Sequence, residues 1–186
     1  MPFVSRAGEK LEHAFHTFDL NVQGLVCADF GSSTGGFVDC LLQHGAEKVY
    51  AVETGYGTLE YKLRIDPRVV VLERHNAMHV ELPEQADFIT IDTSWTKLEK
   101  VIPNALKNLK EKENSRIVVL VKPHYEAHPS LIRNGKLPEE LIPDVLMGVR
   151  EKLTALGLKV LGETESPILG EKGKNKEVLL YLKRQT

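Results

Sequence analysis

The chain has 186 residues, 42% hydrophobic and 27% charged, with a formal net charge of -2. That balance excludes a disordered or fibrous protein, and the length suits one globular domain that needs no metal or disulfide staple. The longest apolar runs are far shorter than a membrane span and the amino terminus has no apolar signal core, so no membrane association and a cytoplasmic location are expected.

In chain order, a first helix is predicted from about Ser5, which can serve as its N-cap. Ala7, Leu11, Ala14, Phe15 and Phe18 form its buried stripe, and Lys10 lies at the stripe's edge. A strand over 25–30 then runs into FGSSTGGF, Phe30 to Phe37, a glycine-rich turn that opens a second helix. Further strands are read at 48–53, 68–73, 87–92 and 116–121. The near-continuous apolar run RIVVLV in the last of these marks burial on both faces, the habit of a parallel sheet.

Helical spacing recurs at Leu98, Val101, Ile102, Ala105, Leu106 and Leu109, and again from Leu141 to Leu156, with Gly157 as a C-terminal stop. Pro103 and Pro143 lie inside these patterns, so each helix is expected to begin near its proline. The runs 158–163 and 178–183 are separated by TESPILGEKGKNKE, too short and too rich in Gly and Lys for a crossover helix, and are expected to pair as an antiparallel hairpin. The predicted fold class is α/β: a doubly wound, seven-stranded, mostly parallel sheet with an antiparallel last strand, in one domain over 1–186. Cys27 and Cys40 sit among apolar residues, without a recognised ligand spacing, and read as buried thiols.

In such sheets a ligand lies outside the carboxyl ends of the strands. Gly31, Glu53, Asn76, Asp92 and Lys122 end or follow the first five strands, and Glu177 returns to the same rim because the last strand runs backwards. A dinucleotide fingerprint needs a second glycine where Ser33 stands, which weakens a pyrophosphate reading. Glu53, 22 residues after Gly31, is placed to accept hydrogen bonds from a ribose diol. An adenosine-bearing ligand without a pyrophosphate, S-adenosylmethionine, fits both features.

The blocks VSRAGEKLEHAF, ADFGSSTGGFVDCLLQHGA, YGTLEYKLR, VLVKPHYEA and GKNKEVLLYL, in that order over residues 3 to 183, resemble the TlyA or haemolysin-like branch of the FtsJ-type ribose methyltransferases. The resemblance implies a Rossmann-like methyltransferase fold, S-adenosylmethionine as cofactor and 2′-O-methylation of ribosomal RNA, free or in ribosomal subunits. It also implies a Lys-Asp-Lys-Glu catalytic set at Lys10, Asp92, Lys122 and Glu177. The cofactor would lie along Gly31, Ser33, Gly35, Gly36, Phe37, Glu53, Asn76 and Asp92. Glu53 replaces the family's usual aspartate; DTSWTKL and KPHYE replace patterns closer to DVSFISL and KPQFE, so Trp95, His124 and Tyr125 depart on the acceptor side. The branch's usual amino-terminal S4 RNA-binding domain is absent from this sequence.

Methyl transfer from a sulfonium requires alignment and a deprotonated acceptor. Lys122 is the candidate base, its proton weakened by burial or by the neighbouring Lys10; equally it can act as a cation that stabilises the developing alkoxide. Asp92 and Glu177 would orient the lysines. Trp95 reads either as a stacking surface for an RNA base or as packing beneath the cofactor loop. The net charge means that any RNA contact must be a local patch. Lys172, Lys174 and Lys176, with Arg133 and Lys136 on a second loop, are the candidates. His124 and His128 have i, i+4 spacing, but Pro123 and Pro129 bracket them, and no metal site is expected. The competing readings are a non-catalytic RNA or ribosome-binding module that keeps the fold, and a haemolysin-type membrane-active protein.

Overall fold

A computed structural model describes residues 2–171 and 173–185. Its strands are β1 (Val26–Phe30), β2 (Lys48–Glu53), β3 (Val69–Glu73), β4 (Phe88–Ile91), β5 (Arg116–Val121), β6 (Leu158–Glu165) and β7 (Val178–Arg184). Helices α1 (Ala7–Phe18), α2 (Gly36–Gln43), α3 (Tyr61–Arg64), α4 (Leu98–Asn108), α5 (Pro123–Glu126) and α6 (Ile142–Ala155) connect them. The strands form one sheet in the order β3-β2-β1-β4-β5-β7-β6. The first five pair in parallel, and β7 runs antiparallel between β5 and β6. The expected fold class and the β6–β7 hairpin are both observed.

Period-two alternation sends the apolar residues of β5 to two cores. Ile117, Val119 and Val121 pack with α4 and α6, while Val118 and Leu120 pack with α1, α2 and α3. Cys27 and Cys40 are both buried, unpaired thiols on the second side. Gly157, at φ 85°, ends α6 one residue after its C-cap, and Pro143 lies in the first turn of that helix.

Two local expectations need correction. α4 runs through Pro103 instead of starting there. Val101 and Ile102 are fully buried, contributing roughly 1.5–3 kcal/mol each, which offsets the ~3 kcal/mol cost of an interior proline. Pro103 itself is exposed, and the Leu98 N–H at the helix start donates to Glu126 Oε1 at 2.8 Å. Nor does the Ser5 side chain cap α1: the N-cap is Arg6, already in helical conformation, and no side chain caps it. A Cβ on Gly36 would strike the Ser5 hydroxyl and come within 2.7 Å of the Gly8 nitrogen, so Ser5 fills the tight seam between α1 and α2.

Candidate active site

The sheet order reverses beside β1, where β2 and β4 leave on opposite sides, and crevices at such points receive ligands. Gly31 leaves β1 at φ 91°, and a Cβ there would collide with the Asp92 carbonyl at the end of β4. Only glycine permits that approach. The Gly31 and Ser32 N–H groups both donate to the Val52 carbonyl, at 2.9 and 3.0 Å. Asp92 falls one residue past β4, but its N–H still donates to the Phe30 carbonyl at 2.9 Å and keeps it in register.

Glu53 ties the loop to β2. Its Oε2 accepts from the Ser33 N–H at 2.9 Å, while Oε1 accepts from the Gly55 N–H at 2.8 Å and the Thr54 hydroxyl at 3.1 Å. Ser33 takes a φ of 48° to make this contact.

Around these glycines lies a two-chambered cleft. One chamber, of about 370 Å³, is lined by Glu53, Asn76, Met78 and Thr93; the other, of about 290 Å³, by Lys10, Asp29, Gly36, Phe37, Lys122 and Glu177. Gly31, Ser33 and Asp92 line both. Gly35 stands apart from the other sequence-selected residues: at φ 103° it turns toward Leu59 and Leu63, where a Cβ would collide, and it shapes the loop from behind.

Lys10, Asp92, Lys122 and Glu177, separated by as many as 167 positions, thus line one chamber. They form two ion pairs. Lys10, from the buried face of α1, donates to Glu177 Oε2, and this pair is almost wholly out of water. Lys122, following β5, has its Nζ 2.6 Å from Asp92 Oδ1 and donates to the Ser94 hydroxyl at 3.0 Å. Asp92 Oδ1 is buried yet accepts no hydrogen bond. The two observations agree if the contact is close but poorly directed, an ion pair with acceptor capacity left over.

Asp29 is a site residue that motif reading passed over. It lies in β1, is fully buried, and accepts from the Thr90 hydroxyl at 2.7 Å while lining the cleft. Burial, with the Asp92 and Glu53 carboxylates adding to it, pushes its carboxyl up to about 8. The available signal was an acid in an otherwise apolar buried strand.

On the outer wall, Trp95 is exposed and its ring lies 5.1 Å from that of Tyr125, which lies 4.1 Å from His124. Trp95 therefore forms part of the rim and does not pack beneath the loop. Burial and the adjacent Lys122 ammonium hold His124 below its ordinary range.

The two basic loops are joined. Buried Asn175 accepts from the Leu137 N–H at 3.1 Å and donates to the Gly135 carbonyl at 2.9 Å, bringing exposed Arg133, Lys136 and Lys174 onto neighbouring turns. Lys176 is committed elsewhere, to Glu139 at 3.1 Å and Glu165 at 3.7 Å. Lys172 lies outside the described residues. No helix among the described residues is long and apolar enough to cross a membrane.

The chain is similar to Hemolysin A of Brachyspira hyodysenteriae, with 41% identity over 177 residues, 92% of this chain and 73% of that protein. It is 38% identical over 190 residues to the 16S/23S rRNA (cytidine-2′-O)-methyltransferase TlyA of Mycobacterium tuberculosis, covering 99% of this chain and 69% of that one. A solved structure of a hemolysin-named protein of Streptococcus thermophilus superimposes with a TM-score of 0.94 at 38% identity, over 100% of this chain and 68% of the other. The model of the FtsJ-like methyltransferase family matches residues 3–184, from before α1 to the end of β7, and with the switch-point cleft in place the chain belongs to that family.

Proposed function

We propose that the protein transfers a methyl group from S-adenosylmethionine to a ribose 2′-hydroxyl of ribosomal RNA. The carrying observation is the convergence of Lys10, Asp92, Lys122 and Glu177 in one chamber, next to a second chamber edged by Glu53 and Asn76. The adenosine fits the Glu53 chamber, where a carboxylate can accept from a ribose diol. Gly31 and Ser33, which line both chambers, would hold the sulfonium end of the donor beside Lys122. Bound donor supplies an activated methyl; the chain's residues supply alignment and stabilise charge on the acceptor. In the transfer the donor's carbon–sulfur bond would break as the carbon–oxygen bond forms, leaving a neutral thioether, and the hydroxyl proton would pass to water in the cleft.

The Asp92 contact favours the cationic role for Lys122, with the ammonium facing the developing alkoxide and Asp92 holding it in place. Trp95 and Tyr125 form an aromatic wall suited to stacking a base beside the reactive ribose. Arg133, Lys136 and Lys174 offer a local site for phosphates on an otherwise slightly acidic protein.

Transfer of labelled methyl from the donor to separate ribosomal subunits and to naked RNA tests the proposal. Wild type should label RNA and Lys122→Ala should not, with both binding the donor. If neither labels any RNA while both bind donor, the chain is a binding module that retains the fold.

A further inference from the structure

On the side of α1 away from the cleft, a second set of chemically active residues remains unassigned. Helices α1 and α2 meet at two successive turns: Gly8 against Gly36, and one turn on Glu12 against Cys40. There, Glu12 Oε2 lies 2.6 Å from His44 Nε2 and 3.6 Å from Cys40 Sγ, and the three donor atoms all lie within 4.8 Å of one another. His16, one turn beyond Glu12, places its Nε2 2.9 Å from Glu12 Oε1. Phe15 stacks on the His44 ring at 3.8 Å and 9°, fixing the plane of the imidazole.

We propose that Glu12, Cys40 and His44 bind a zinc ion that clamps α1 to α2, with a solvent water as the fourth ligand. Carboxylate, thiolate and imidazole are all established zinc ligands. Their charges also suit a half-buried position, since one thiolate and one carboxylate neutralise the dication. Tetrahedral zinc with ordinary bond lengths separates its donors by roughly 3.4–3.6 Å. The Cys40–Glu12 separation already matches. The Glu12–His44 separation must open by about 0.8 Å, within reach of side chains that are about one-third exposed. Exposed His16 holds the other carboxylate oxygen of Glu12 and leaves the solvent side open for the fourth ligand.

Burial pushes the Glu12 carboxyl up, but its contacts with His44 and Cys40 outweigh this and leave it below the usual carboxylate range, a ready anionic ligand. Burial and that same carboxylate push the Cys40 thiol far up. A divalent cation reverses this balance, and the displaced proton leaves past Glu12 to solvent. Cys40 and His44 are four residues apart at the end of α2, but Glu12 lies 28 positions before Cys40, so the full donor set is not visible as one compact motif. Lys10 lies two residues before Glu12, and Gly36 four before Cys40. The clamp would therefore set the distance between α1 and the start of α2 at the cleft.

The test uses the full chain, stripped of metal with a chelator and titrated with Zn²⁺ and, as a coloured probe, Co²⁺. Wild type should take up one equivalent, show a near-ultraviolet thiolate-to-cobalt charge-transfer band, and gain roughly 5–10 °C in melting temperature at a hundredfold excess of Zn²⁺ over Kd. Cys40→Ala should lose the band and Cys27→Ala should keep it. Since Cys40 is in the core, variants at the partly exposed ligands, Glu12→Gln and His44→Gln, provide a second arm, each expected to weaken Zn²⁺ affinity at least about tenfold. Absence of the charge-transfer band in wild type overturns the proposal. So does unchanged zinc affinity in both of these variants.

Discussion

The two ion pairs of the cleft use the same residue types in different surroundings. Lys10 and Glu177 have side chains 8% and 3% exposed, held between α1 and the residue that precedes β7. Lys122 and Asp92 are 12% and 17% exposed, at the ends of adjacent parallel strands, with Ser94 as an additional partner for the lysine. A pair this little exposed has little water at hand to replace a lost partner, so each member constrains the other. A pair at a cleft wall can exchange one contact for another when a ligand arrives. The first pair is therefore suited to holding the chamber together, the second to acting within it.

Breaking the enclosed pair should have the largest effect. Glu177→Ala leaves the buried Lys10 ammonium without its carboxylate partner and should lower the unfolding free energy by about 3 kcal/mol in urea melts. The double variant Lys10→Met with Glu177→Met should recover most of that stability, and even exceed wild type, without recovering methyl transfer. If the single variant is as stable as wild type, the contrast between the pairs fails.

At the open pair the expected signature is reversed. Lys122→Ala should reduce methyl transfer about 10²–10⁴-fold while lowering stability less than Glu177→Ala does. Lys122→Arg sharpens the result: substantial remaining activity points to a cation and none to a base, since a guanidinium does not release its proton.

Asp29, behind both pairs, predicts a dependence on pH. Its folded carboxyl titrates near 8 against an ordinary 3.8. Between those values the folded state holds a proton that the unfolded chain has released. Stability should therefore fall as pH rises from about 4 to about 8 and level off above. Asp29→Asn keeps a partner for Thr90 and should flatten that decline, which urea melts at acidic, neutral and alkaline pH would reveal. The smallest effect is expected at the rim: Lys174→Glu should weaken RNA binding and reduce its salt slope by about 1–2, leaving donor affinity intact.

Much of this architecture is legible in the residues. The apolar runs, the glycine turn and the Lys-rich segment between β6 and β7 each restrict local conformation strongly enough to show without coordinates. Pro103 was misleading, because its local cost is real but two fully buried neighbours outweigh it. Ser5 was misleading for the opposite reason, since a good capping residue is drawn into a helix seam that only long-range packing creates. Asp29 went unread because alternation along a strand does not say which inward position meets a cleft. Lys176 has the charge of a phosphate contact, yet Glu139 and Glu165, distant in sequence, occupy it.

By itself the sequence determined the seven strands and the helices α1, α2, α4 and α6, though not the single turns α3 and α5, together with the α/β class and the presence of polar residues at the carboxyl ends of successive strands. Short-range sterics and hydrophobic periodicity act within a dozen residues, so they can be read directly. Tertiary structure alone decided which lysine meets which acid, which amine is enclosed and which faces the cleft, and that Glu12, Cys40 and His44 meet at all. Those outcomes depend on the packing of elements far apart in the chain, where the distances and the exclusion of water that govern charge are set.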